Sequence, residues 1–96
     1  MIAYVKVEQQ GRHWTASFPE YPGKFANGFT RVSAIRYAKD ALEAWMSEQL
    51  DKGVVPVAAP VSSDDLEEVK LSQDIGVRVH SLTVRASAPR AKFPGT

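Results

Sequence analysis

The longest regular pattern in the chain runs from Thr30 to Leu50, and it limits the fold more than any other feature. Apolar residues there recur at steps of three and four, so an α-helix would collect them on one face. They are Val32, Ile35, Ala38, Leu42, Trp45, Met46 and Leu50. Thr30 is a suitable N-cap and Lys52-Gly53 a suitable stop, although Ser33 stands where an acid would complete a capping box. One long helix must bury its apolar face against another layer.

The residues before this helix alternate with a period of two, which is typical of half-buried strands. Ala3, Val5 and Val7 share one face of a first strand, and Gln9–Arg12 supplies a turn. A second strand, 13–18, completes a β-hairpin. The prolines and the glycine of the Pro19–Gly23 segment must leave the sheet, and a short third strand, Lys24–Asn27, follows.

The residues after the helix predict three further segments. Val54–Val61 carries two prolines and is expected to be extended. Ser62 or Ser63 would cap a second, short helix through about Leu71. A final strand is expected from Val77 to about Ala86, with apolar residues on both faces, so that either it has a bulge or both faces are partly covered. A second copy of the chain would be the simplest cover, which predicts a homodimer.

The resulting order, β-β-β-α-(short α)-β, predicts an α+β fold. We expect an antiparallel sheet of about four strands with the helix packed on one face. Residues 1–86 would form a single domain, followed by a flexible basic tail over 87–96. The predicted core joins the hairpin to the long helix. It consists of Trp14, Phe18, Ile35, Leu42 and Trp45.

Composition narrows the cellular setting and the chemistry. The 96 residues include no cysteine, which excludes disulfides and thiolate chemistry and favours a reducing cytoplasm. No apolar stretch is long enough for a signal peptide or a membrane span. His13 and His80 have no neighbour at metal-ligand spacing, and Glu8 is the one acid on the first three predicted strands. We therefore expect no catalytic residue, no metal and no cofactor, and a protein that acts by binding another macromolecule.

Two segments are candidate partner surfaces. The rigid turn Pro19–Pro22 places Glu20 and Tyr21 outside the strand pattern, where Tyr21 would be either a binding anchor or a cover for the sheet edge. The second is a cluster of acids, which is either a steering surface or a solvated face. It consists of Asp64, Asp65, Glu67 and Glu68.

The segment Ser17-Phe18-Pro19-Glu20-Tyr21-Pro22-Gly23 resembles the turn of the HicB family of bacterial antitoxins. Gly28-Phe29-Thr30 then matches the family's Gly-x-Thr at the helix start, followed by an Ala-rich helix, and residues 60–69 are similar to the family's short helix before its fourth strand. The resemblance covers about residues 2–86. Lys24 departs from the family, which often has cysteine there.

The resemblance implies a partial RNase-H-like domain without nuclease carboxylates. It also implies a partner, a small HicA-like mRNA interferase with a double-stranded-RNA-binding-type fold, whose catalytic histidine and RNA surface the antitoxin covers. Such toxins are usually basic, so acidic groups here would be complementary. Family members commonly continue into a DNA-binding domain, and about ten residues remain here, so no specific DNA binding is expected from this chain alone.

Two other functions stay open from the sequence. The chain fits an orphan protein-binding module of phage or regulatory origin, which a genomic neighbour encoding a small basic protein would argue against. It also fits a nucleic-acid-binding protein that uses Tyr4, Lys6 and the basic tail, which salt-dependent binding to isolated nucleic acid would favour. No membrane partner is expected.

Overall fold

The computed structural model describes residues 1–62 and 64–87. They form a four-stranded antiparallel sheet in the order β3-β2-β1-β4, with two helices packed against it, which confirms the predicted α+β class. The strands are β1 Ile2–Gln10, β2 His13–Ser17, β3 Phe25–Gly28 and β4 Glu67–Lys70, and the helices are α1 Arg31–Asp51 and α2 Gln73–Ser87. The predicted tail over 87–96 begins with the last residue of α2, and its other residues lie outside the described part.

A two-residue loop joins β1 to β2. Gln10 pairs with His13, and Gly11 between them has φ +63°. Glycine at the first loop position is what a type II′ turn requires, because that position needs a positive φ. The loop fixes the register of the sheet, since it sets Lys6 opposite Ser17 and Val7 opposite Ala16.

Helix α1 begins and ends where the sequence predicts. Thr30 is the N-cap, and its side chain accepts a hydrogen bond from the Ser33 backbone N–H at 3.0 Å. The Thr30 N–H donates to the Ser33 hydroxyl at 3.1 Å, so Ser33 itself completes the capping box for which an acid was expected. At the other end Lys52 is the C-cap, and Gly53 has φ +76°.

The buried stripe of α1 recurs every four residues and differs in part from the predicted one. It consists of Ala34, Ala38, Leu42, Met46 and Leu50. Val32 was expected to be buried and is 68% exposed, because it lies in the first turn on the flank of the helix. Of the predicted core, Phe18 and Leu42 are buried, whereas Trp14, Ile35 and Trp45 pack against the core and stay partly exposed.

The short helix predicted up to Leu71 is wrong, because residues 67–70 form β4. This strand pairs antiparallel with the start of β1, with Val69 opposite Ala3 and buried. Asp65 has φ +65°, a left-handed conformation that aspartate tolerates better than most residues. Asp64 and Asp65, which suggested the first turn of a helix, therefore belong to a turn that leads into a strand, and Ser63 lies outside the described residues.

The final strand predicted from Val77 is also wrong, because residues 73–87 form α2. The apolar residues that face the protein are Ile75, Val79 and Leu82, which follow a helical spacing, while Val77 and Val84 are exposed. The Ser72 N–H donates to the Glu43 carboxylate at 2.6 Å, and Arg78 bonds Ser47 and Asp51, so polar contacts with α1 hold the helix. The change of apolar face thus reflects a helix, which removes the original reason for expecting a dimer.

Candidate functional site

The turn between β2 and β3 is a closed loop held by its own backbone. The Phe18 N–H donates to the Lys24 carbonyl at 3.1 Å, and the Tyr21 N–H donates to the Phe18 carbonyl at 2.9 Å. Gly23 has φ +87°, which few other residues adopt readily. The loop is therefore rigid, as the two prolines predict.

Glu20 fastens this loop to two distant parts of the chain. Its carboxylate accepts a hydrogen bond from the Tyr4 N–H at 2.8 Å, at the point where β2 has ended and offers β1 no further partner. Its backbone carbonyl accepts another from the Ala59 N–H at 2.8 Å. Glu20 thus satisfies a strand donor and anchors the segment that crosses from α1 to β4.

Tyr21 is a core residue and not an exposed side chain. Its side chain is only 4% exposed, and its ring lies 6.0 Å from that of Trp45, measured between centroids. The Lys24 ammonium lies over the Trp45 ring, 4.7 Å from its centroid. The prolines take Tyr21 out of the strand pattern, but the closed loop folds it back against α1.

Burial raises the pKa of the Tyr21 phenol above its ordinary value of about 10, and the nearby Glu20 carboxylate adds to the shift. The folded protein therefore keeps the phenol proton at a pH where the unfolded chain loses it. We expect the contribution of Tyr21 to stability to be complete below pH ~10 and to fall as the pH rises above it.

Ultraviolet titration of phenolate formation would check this. We expect one tyrosine to ionise later than the others, and Tyr21→Phe to remove that late step and to flatten the alkaline loss of stability. Ionisation of all three tyrosines together in the folded protein would contradict the expectation.

The structure separates the four acids of the predicted cluster. Asp64 and Asp65 are exposed in the turn before β4, and Glu67 forms an ion pair with Arg31 at the start of α1. Glu68 stands opposite Tyr4 on the sheet face that carries no helix. Glu67 is partly neutralised, so Asp64, Asp65 and Glu68 are the acids best placed to offer charge to a partner.

The two histidines lie apart and serve no common site. The His13 ring is 5.3 Å from that of Phe29, and His80 lies in a shallow depression between α2 and Met1. Within residues 1–62 and 64–87, no three His, Cys, Asp or Glu side chains are grouped to hold a metal ion. Neither helix of that part of the chain is long and apolar enough to cross a membrane.

Three aromatic side chains that the sequence analysis did not single out are exposed. Phe29 is 79% exposed, Phe25 58% and Tyr37 53%. Exposed aromatics are common anchors of protein interfaces. The exposure of Phe25 could be predicted from the sequence, because Phe25 alternates with Ala26 in β3. The exposure of Phe29 could not, because it depends on the packing of Gly28 against α1.

Two motifs behind the HicB resemblance occupy junctions, whereas residues 60–69, matched to the family's short helix, lead into β4 instead. Residues 17–23 join β2 to β3, and residues 28–30 join β3 to α1. No protein-family model matches the chain, and a search of curated proteins finds no match. The resemblance is carried by these motifs and their order.

Proposed function

We propose that this protein is a cytoplasmic, non-catalytic antitoxin of the HicB type, which binds a small basic mRNA interferase and covers its active site. The observation that carries the proposal is the place of the two motifs. Each occupies a junction and has a defined structural task there: one fastens β1 through Glu20, and the other caps α1 through Thr30. The resemblance thus concerns residues that shape the domain.

The charged surface adds support for a basic partner. Asp64 and Glu68 are exposed, and neither forms an ion pair within the described residues. Uncompensated acids on a rigid domain speed the encounter with a basic protein. Tyr21, in contrast, is withdrawn from the partner surface because its side chain is buried.

Co-expression with the neighbouring open reading frame is the direct test. We expect that frame to encode a small basic protein that stops growth when expressed alone. Growth should return, and the two proteins should co-purify, when this chain is present. A neighbour that is harmless alone, or that never associates with this chain, would refute the antitoxin assignment.

Reversing one acid tests the proposed surface. Glu68→Lys should slow association with the toxin about two- to tenfold at low salt and weaken the salt dependence, because rim charges act mainly on the rate of encounter. Asp40→Lys is the matched control, since it makes the same charge change on the exposed side of α1. Stopped-flow kinetics at two salt concentrations separate the variants. Equal slowing by both would show that total charge and not this surface steers the partner.

A further inference from the structure

Strand β3 is an outer strand of the sheet with free backbone groups. Gln10 and His13 flank a two-residue loop and so form a hydrogen-bonded pair, which fixes the alternation across the sheet. On β2, every second residue from Trp14 then bonds towards β3, where Trp14 faces Gly28 and Ala16 faces Ala26. The N–H and C=O groups of Phe25 and Asn27 therefore point away from the sheet.

This edge is short, with four residues, but it carries neither a charge nor a proline. Proteins protect free edge strands by keeping them very short or by adding charges, prolines or bulges. Strand β3 reads Phe-Ala-Asn-Gly and contains no charge and no proline, whereas β4, at the opposite edge, carries Glu67, Glu68 and Lys70. The edge at β3 is thus the one at which the sheet can be extended.

The flank of α1 beneath this edge suits a second helix. Trp45 lies on that flank, because it contacts Lys24 just before β3, while Glu43 and Ser47 lie on the other flank against α2. Ala41 is one turn before Trp45 and Ala44 lies further round; both are exposed, as is Tyr37. Small side chains let another helix approach closely, and Tyr37 offers apolar area.

We propose that β3 pairs antiparallel with β3 of a second copy of this chain, making a twofold dimer with one continuous eight-stranded sheet. Phe25 of each copy then lies opposite Asn27 of the other, and the two pairs exchange four backbone hydrogen bonds. Ala26 lies on the twofold axis. The α1 flanks with Ala41 meet beneath the strands.

A second copy fits this edge better than a charged partner does. The proposed toxin is basic and would bind an acidic surface, whereas β3 contains no acid. An uncharged strand sets no like charges against each other on a twofold axis, whereas a similar pairing through β1 would bring Glu8 against Glu8. Pairing also consumes the edge, so assembly closes at two copies. The dimer does not depend on the antitoxin assignment.

Proline substitution at the edge tests the proposal. Asn27→Pro deletes an outward N–H while leaving the pairing of β3 with β2 intact. Gln9→Pro is the matched control, because the Gln9 N–H also points outward, on the other side of the sheet and beyond the end of β4. Asn27→Ala controls for the loss of the hydrogen bond between the Asn27 and Thr15 side chains, 2.8 Å long.

Sedimentation equilibrium at 1–100 μM (about the range that separates weak from firm dimers) should give a dimer mass for the parent, Gln9→Pro and Asn27→Ala. Asn27→Pro should weaken the dimer at least about tenfold, because the twofold symmetry makes the substitution remove two interfacial hydrogen bonds. A monomeric parent, or an Asn27→Pro dimer as firm as the parent, would overturn the proposal.

Amide hydrogen exchange supplies a site-resolved readout that does not rely on any variant folding. In the parent, the Phe25 and Asn27 amides should become more protected as protein concentration rises, while the Gln9 amide should not. Ala41→Arg should abolish this concentration dependence by keeping the helices apart. Equal exchange of the Phe25 and Asn27 amides at all concentrations would also overturn the proposal.

Discussion

Replacing Phe18 with alanine is expected to lower the free energy of unfolding by about 3–5 kcal/mol. The Phe18 side chain is 1% exposed and is the largest fully buried one in the described structure. It lies where β2 ends and the closed turn begins, so its loss leaves a cavity between sheet and helix that the rigid turn cannot fill. A domain of this size has roughly 5–15 kcal/mol of stability in total, so the variant should be close to unfolding.

Denaturant unfolding followed by tryptophan fluorescence measures the effect. Phe29→Ala is the matched control, because it removes the same side chain from an exposed position and should cost less than about 0.5 kcal/mol. A loss below about 1 kcal/mol for Phe18→Ala would show that the core closes without this ring.

Replacing Gly28 with alanine should cost about 2–4 kcal/mol, a large effect for one methyl group. An added Cβ would lie 2.5 Å from the Ser33 hydroxyl oxygen and 2.6 Å from the Ala34 backbone nitrogen. Both atoms belong to the first turn of α1, which the capping box fixes. Overpacking costs about 1–3 kcal/mol, and disturbing the cap adds about 1 kcal/mol.

Thermal unfolding would measure the total loss of stability. Amide exchange at Ser33 and Ala34 would show how much of it comes from the disturbed helix cap. Gly76→Ala is an instructive comparison, because its Cβ would first meet the Met1 backbone nitrogen, at 3.3 Å, and alanine favours a helix. We expect Gly76→Ala to be neutral or stabilising. If the two variants unfold alike, the close approach of Gly28 to α1 is not a constraint.

Local patterns predicted the first half of the fold because its elements are specified locally. The alternation in β1 and β2, the Thr30 cap and the Gly53 stop each act within a few residues. The structure refined the details where packing decides: α1 buries every fourth residue, which the mixture of steps in the sequence did not reveal.

The second half was assigned wrongly because its elements depend on distant partners. Residues 67–70 become a strand because the start of β1 offers an edge, and nothing in their own sequence records that. Residues 73–87 contain valines that favour strands, yet contacts of Arg78 and Ser72 with α1 make the helix the better arrangement. Tertiary context outweighed intrinsic propensity in both segments.

In the candidate site too, the features that depend on local sequence could be predicted and those that depend on the fold could not. The acids in the turn and on β4 were identified as exposed, and the structure agrees for Asp64, Asp65, Glu67 and Glu68. The burial of Tyr21 could not be predicted, because a proline-bounded turn has no periodicity from which burial can be inferred. The uncharged β3 edge was not anticipated, since an edge is defined by sheet order and not by composition.

The position of β1 between β2 and β4 affects how the chain folds while it is being synthesised on the ribosome. β2 follows β1 after two residues, whereas β4 is synthesised only after the whole of α1. During that interval β1, β2, β3 and α1 can already assemble, with one side of Ile2–Val5 still open. The Glu20 carboxylate holds the Tyr4 amide from the side already built, so the nascent sheet keeps its shape while its last strand is translated.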